Sequence, residues 1–455
     1  MKTIIATATL FVLISSIIMA GTIEVPADYP TIQEAINASA NGDTIVVSPA
    51  TYFENINFRG KNVFLTSLYY LEADTSFISS TVIDGSSPAF PDTASCVIFN
   101  SGEDSTAVLQ GFTITGGGGT IWTDIHGAGD YREGGGILIE LSSPTIMHNI
   151  ISYNACTDQT GVTSTGGGGI RIGDGNPVIV NNSIIHNVAR YGAGIVVNYT
   201  GCTIVNNVIA SNSGGEDYYG GSGIWIVGNS PGKIKNIFNN TIVNNTSTLS
   251  NGTGGISVWS STQVNIKNNI LWDNLPALQI RVTSATANVR YNDVQGGYIG
   301  VGNINSNPMF DIESYILDEM SPCVDKGDTS AVFNDLEDID NLGMALFPSW
   351  GNLRNDMGAY GGPFAAIIPY VQTLTGIVDA QNTISEGLIY PNPSSGLFTF
   401  KGEGEVWIYD AGGRLIFSSW VNNSFIDLRN RPKGIYFVKM RVGEYVNSVK
   451  IIIER

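Results

Sequence analysis

A pair of asparagines five residues apart recurs five times in this chain and constrains its fold more than any other feature. The copies read IMHNIISYN (Ile146 to Asn154), IVNNSIIHN (Ile179 to Asn187), IVNNVIASN (Ile204 to Asn212), FNNTIVNN (Phe238 to Asn245) and IKNNILWDN (Ile266 to Asn274). The paired positions are 149/154, 182/187, 207/212, 240/245 and 269/274. Ahead of the pairs stands a second phrase: GGGILIE, GGGIRIG, GAGIVVN, GSGIWIV and GGISVWS. Its isoleucines, Ile137, Ile170, Ile195, Ile224 and Ile256, lie 33, 25, 29 and 32 residues apart. A unit of roughly two dozen residues with variable insertions marks a solenoid.

One unit contains three short apolar-alternating runs, such as GIWIVGN, KIKNIFNN and TIVNN, separated by Gly, Asn or Pro. Each is too short for a helix and suits a strand. Three strands per coil give an all-β chain, a parallel β-helix with three sheets. With strands about 4.8 Å apart, about ten or eleven coils make a rod of roughly 50 Å. Asparagine suits the corners because it tolerates positive φ better than other non-glycine residues. Its amides also stack from coil to coil, donating to one neighbour and accepting from the other. LQGFTITGG (Leu109 to Gly117) fills the same frame with Gly111, Phe112 and Gly117 and ends the ladder.

Composition agrees. Fifty-four glycines and 14% charged residues indicate a turn-dense β protein. The net charge of −18 argues against nucleic acid as a partner. From Ser385 onward there are 7 acidic and 9 basic residues, so the acid excess lies before that point and two domains are expected. The opening MKTIIATATLFVLISSIIMAG reads as a signal peptide over residues 1–20, with no further stretch long enough to span a bilayer in the mature chain. Four scattered cysteines, Cys96, Cys156, Cys202 and Cys323, suit small buried core residues, with one or two bridges open to an exported protein.

The ends are also legible. TIEVPADYPTIQEAINAS contains Thr31 and Glu34 as a capping box, opening an amphipathic helix with Ile32, Ala35 and Ile36 on one face. This helix (N-cap region 22–41) would cover the open end of the core before coils at about 42–310 and an acidic closing segment at 311–365. The run from Val25 to Ser67 resembles the start of secreted right-handed parallel β-helix proteins of the pectin-lyase-like superfamily. SPCVDKGD (Ser321 to Asp328) and NDMGAYGG (Asn355 to Gly362) resemble their closing segment. The resemblance spans about 22–365 and implies a fold more than an activity.

After a linker at 366–384, YPNPSSGLFTF, VWIYDAGGRLI, IDLRNRPKGIYFVKM and SVKIIIER are alternating strands broken by turns. They read as a small antiparallel β-sandwich over residues 385–455. The four phrases resemble, in order, the type A C-terminal sorting domain of the type IX secretion system. That implies recognition by the type IX machinery and a secreted or outer-surface location in a Gram-negative, Bacteroidota-like bacterium.

Alternation along the strands places two outward rows beside the inward isoleucines. They are Leu138, Arg171, Val196, Trp225, Ser257 and Arg281, then Glu140, Gly173, Asn198, Val227, Trp259 and Thr283, all expected to face solvent. The insertions precede this same strand, so they should wall a groove lined by Trp122, Tyr131, Tyr191, Tyr218, Tyr219, Trp225 and Trp259. Such a groove suits a polysaccharide, whose rings offer apolar C–H faces; the same aromatics could instead pin glycine-rich loops. A uronan lyase would need a base and a cation for the substrate carboxylate, for which Arg171, Glu140, Asp130 and His126 are the candidates. A hydrolase would need two carboxylates, Glu140 with Asp174 or Asp130 with Glu133. Asp335, Glu337, Asp338 and Asp340 offer oxygen ligands for Ca2+, or simply a solvated acidic loop. The expected function is polysaccharide binding by an exported rod. A lyase or glycosidase acting on a uronan is the first alternative, and a non-catalytic adhesin or structural surface protein the second.

Overall fold

The computed structural model describes residues 21–369 except 219, 262 and 312. It also describes residues 389–453 except 391–393, 401–402, 411–414, 423 and 443–444. The expected signal peptide and most of the expected linker lie outside the described residues. The chain divides into two compact units, Met1–Gln372 and Thr373–Arg455.

The first unit is a parallel β-helix. In each full coil a strand of sheet III leads into one of sheet I and then one of sheet II, as in Ile137–Glu140, Thr145–Met147 and Ile150–Ser152. Sheet I has ten strands, sheet II nine and sheet III eight, each pairing with its counterpart one coil away. Ten strands at about 4.8 Å give a stack of roughly 45 Å. Register is set by the isoleucines: Ile137, Ile170, Ile195, Ile224, Ile256 and Ile280 lie opposite one another in succession. Their column joins those of sheets I and II in one fully buried core. A one-residue slip would exchange this column for the outward row, which is why the register is unambiguous.

The corner asparagines divide the work expected of them between adjacent residues. The left-handed backbone sits one residue before each ladder asparagine, at Asn181, Asn206, Asn239 and Asn268 between sheets I and II. The ladder residues themselves point inward and are fully buried. Asn149 donates to Asn182 (3.1 Å), then Asn182 to Asn207, Asn207 to Asn240 and Asn240 to Asn269 (3.0 Å each). A second ladder runs from Asn154 through Asn187, Asn212 and Asn245 to Asn274. The Phe112 and Gly117 amides donate to Asn149 and Asn154 and close both ladders. Three of the left-handed asparagines, Asn206, Asn239 and Asn268, bind another segment. Asn206 Nδ2 donates to the Ala359 and Gly361 carbonyls at 2.8 and 2.6 Å, and Asn239 Nδ2 to the Asp356 carbonyl at 2.9 Å. They hold the acidic segment against sheet II, where Tyr315, Ala359, Tyr360 and Ile368 pack on Ile185, Val208, Ala210 and Val243.

The capping helix spans Ile32–Ala38, with Ile32, Ala35 and Ile36 buried. Thr31 accepts the Glu34 amide at 3.2 Å, but the reciprocal half of the box is replaced. Glu54, from the coil below, accepts the Ile32 and Gln33 amides at 2.9 Å each. All four cysteines are free and buried, so the disulfide left open by the sequence does not form. Among the described residues no helix is long and apolar enough to cross a membrane.

The second unit has a three-stranded and a four-stranded antiparallel sheet. Between them Phe398, Phe400, Val406, Ile408, Ile426, Val438 and Ile451 form a core.

Candidate functional site

Sheet III carries the site because the insertions at 122–133, 155–161, 189–192 and 215–221 enter just before it, whereas the one at 68–80 enters before sheet II. The two outward rows form in the expected register, Leu138–Arg171–Val196–Trp225–Ser257–Arg281 and Glu140–Gly173–Asn198–Val227–Trp259–Thr283. They are not both open to solvent. A hairpin, Gly119–Thr123 and Asp130–Glu133, folds back over the sheet and pairs with Ser164–Gly166 from the next insertion. Beneath the hairpin and the loops of the following insertions Leu138, Arg171, Val196, Trp225 and Ser257 are buried. The insertions thus build a second small core on the outside of the coil, which strand alternation alone does not reveal.

Arg171 lies at the bottom of that core with no exposed surface. Its Nε donates to Glu133 Oε2 at 3.1 Å, its Nη1 pairs with Glu140, and its Cζ lies 3.7 Å from the ring centroid of Trp122. Glu133 accepts from three donors in all: the Tyr191 hydroxyl at Oε1, and at Oε2 Trp122 Nε1 (2.8 Å) and Arg171 Nε. Burial pulls the Arg171 guanidinium below its ordinary value, opposed first by Glu133.

Two of the four expected catalytic residues are therefore sealed into a structural ion cluster, which corrects that assignment. Arg171 has its charge taken up by Glu133 and Glu140 and cannot also neutralise a substrate carboxylate. Glu140 is committed to Arg171. Asp130 stands exposed on the hairpin, its Oδ1 accepting from Thr123 Oγ1 at 2.6 Å. Only His126 reaches the groove mouth. Its Nε2 lies 3.1 Å from Asp174 Oδ1, and its ring stacks on Tyr199 with centroids 3.8 Å apart. Asp174, expected beside Glu140 as a hydrolytic carboxylate, is thus held by His126.

The groove has a volume of about 380 Å³. It is lined by Tyr131, Tyr218, Trp225, Val227 and Trp259 together with Asp124, His126 and Tyr199. Tyr191, Tyr218 and Trp225 contact one another, with centroids 4.8 to 5.6 Å apart. Burial, with Tyr218 next in order as hydrogen-bond partner, pushes the Tyr131 phenol up. Trp225 is 7% exposed and Tyr191 2%, so the two shape the wall, while Tyr218 and Trp259 are the more accessible rings. Trp122 covers Arg171 and is absent from the groove lining; Tyr219 lies outside the described residues. Two polar atoms at the groove, Trp225 Nε1 and Asn198 Oδ1, are buried without a hydrogen-bond partner among the described residues.

Sequence reasoning missed Asp124 and Tyr199 as lining residues. Tyr199 follows its strand in the left-handed conformation, like Leu141, Asp174 and Ser260 in other coils. That column of corner residues was the available signal.

The Ca2+ candidates do not converge. Asp335 is buried and accepts the Asp356 and Gly362 amides, whereas Glu337 and Asp338 accept the amides of Gly343 and Asp340 in exposed turns. Among the described residues no three His, Cys, Asp or Glu side chains gather as a metal-ligand set.

Residues 45–270 match the family model of the right handed beta helix region, and residues 388–454 that of the secretion system C-terminal sorting domain. Among solved structures the chain is similar to a mutant pectin methylesterase in complex with a hexasaccharide. The match has 10% identity and a TM-score of 0.30, over 67% of this chain and 98% of that one. No curated protein matches the chain. The chain joins a right-handed β-helix region to a type IX secretion-system C-terminal sorting domain, which makes it an exported protein, secreted or held at the cell surface.

Proposed function

We propose that this protein binds a polysaccharide, without turnover, in the groove between the hairpin and the loop at 215–221. It would do so outside the outer membrane of a Bacteroidota-like bacterium, after delivery through its sorting domain. The observation that carries this reading is the make-up of the groove. Tyr131, Tyr218 and Trp259 supply stacking surface beside an unpaired buried indole N–H and an unpaired buried amide oxygen. A sugar hydroxyl accepts from one such group and donates to the other, while its ring faces stack on aromatics. A volume of about 380 Å³ is near the small end for ligand pockets. It suits one or two sugar rings, a chain end or short segment, with the remaining polymer outside.

The reading of binding without turnover is supported by the pairing of Arg171 with Glu140, two of the candidate catalytic residues. A glycan array probed with the purified β-helix unit, alongside its Trp259→Ala variant, tests the proposal. Binding to a defined oligosaccharide that falls at least tenfold in the variant supports it. A blank array, or binding indifferent to Trp259, counts against it.

A further inference from the structure

The proposed binding role leaves the class of sugar open, and the charge around the groove narrows it. Three carboxylates lie at or just behind its surface: Asp124 and Glu133 in the lining, and Asp174 beneath His126. Glu140 stands behind them in the ion cluster. The described lining holds no arginine or lysine; Arg171 behind it is already held by two of these acids, and Arg281 in the outermost coil donates to Thr253 and Asn251. The other arginines of the insertions are engaged elsewhere. Arg132 binds Asp92 at 3.0 Å, and Arg190 binds Asp217 at 2.8 Å and Glu216 at 2.6 Å. Asp124 is 5% exposed; its Oδ1 accepts the His126 amide at 2.9 Å, and no described donor reaches its Oδ2.

Resting on the proposed binding role, we infer that the groove takes a neutral or amino sugar and rejects a uronate. A hexuronate brings a carboxylate into an aromatic-walled space already holding uncompensated negative charge, where repulsion is weakly screened. A neutral hexose offers hydroxyls to Asp124, Asn198 Oδ1 and Trp225 Nε1. An ammonium additionally gains the carboxylates and the faces of Trp259 and Tyr218.

The test is calorimetric titration of the purified full-length protein with three matched trimers, of galactose, glucosamine and galacturonic acid, at low and high salt. The expected result is at least tenfold weaker binding of the galacturonate trimer than of either other trimer, the gap narrowing as salt rises. In Asp124→Asn, which keeps the acceptor for the His126 amide, the ratio of galactose to galacturonate affinity should shrink at least threefold. Equal or tighter binding of the galacturonate trimer overturns the inference while leaving sugar binding intact. Failure of all three trimers removes the binding reading, and this inference with it.

Discussion

The indole of Trp122 lies over the guanidinium of Arg171, 3.7 Å from Cζ to ring centroid, and shuts it off from the groove. Arg171 is therefore a keystone of the wall. Arg171→Met should leave Glu133 and Glu140 buried without their cation, at a cost of about 3–5 kcal/mol. Asp130→Asn, on the exposed edge of the same hairpin, should stay within about 0.5 kcal/mol of wild type. Urea unfolding of both variants distinguishes this from a catalytic role, under which Arg171→Met would be nearly neutral for stability.

Adjacent asparagines should respond very unequally to substitution. Asn182 donates to the Ile146 and Val180 carbonyls and to Asn207, and accepts both the amide and the side chain of Asn149. Asn182→Ala should cost about 2–4 kcal/mol, because it strands several buried groups at once. Asn181 sits at φ 55° with its Oδ1 unpaired, so Asn181→Gly should change stability by about 0.5 kcal/mol or less. Denaturant midpoints of the two variants, measured together, check the contrast.

Asn206 combines both demands. Asn206→Gly keeps the left-handed backbone but loses the two clamps on Ala359 and Gly361. Limited proteolysis should then cut within residues 311–365 several times faster than in wild type. An unchanged cutting rate would mean that the clamps do not hold this segment.

These contrasts show what the sequence could reveal. Repeat spacing located the coils, the isoleucine column and the side of the rod that bears the insertions, because each follows from periodicity. It could not reveal that the wall hairpin folds down over sheet III, since Arg171 alternates outward whether or not something covers it. Nor could spacing separate the two asparagine roles, because the same residue type fills neighbouring positions for different reasons. The acidic run at 335–340 read as a ligand set by composition, yet Asp335 turns inward while its neighbours serve exposed turns.

Asp335 and Asp356 give the acidic segment a pH dependence. Burial, and for Asp335 also the neighbouring Asp356, push these carboxyls well above an ordinary 3.8, and the two titrate as a pair. Asp325, nearby, is raised as well. Such groups keep their protons in the fold where the unfolded chain has lost them. Their contribution is full below about pH 4 and is lost as pH rises through the pair's raised titration range. His148, which burial lowers to about 4, acts in the opposite sense between about pH 4 and 6.5. The difference between wild type and Asp335→Asn isolates the aspartate. Wild type should lose about 2 kcal/mol or more relative to the variant between pH 5 and pH 8. Parallel stability curves would contradict this.

The location of the bound sugar tests the account most directly. A crystal of the β-helix unit soaked with its tightest-binding neutral trimer should show a ring on Trp259 and Tyr218. One hydroxyl should lie within hydrogen-bond distance of Trp225 Nε1 and another of Asp124 Oδ2. An empty groove with sugar ordered on sheet I, or on the acidic segment over sheet II, would contradict it.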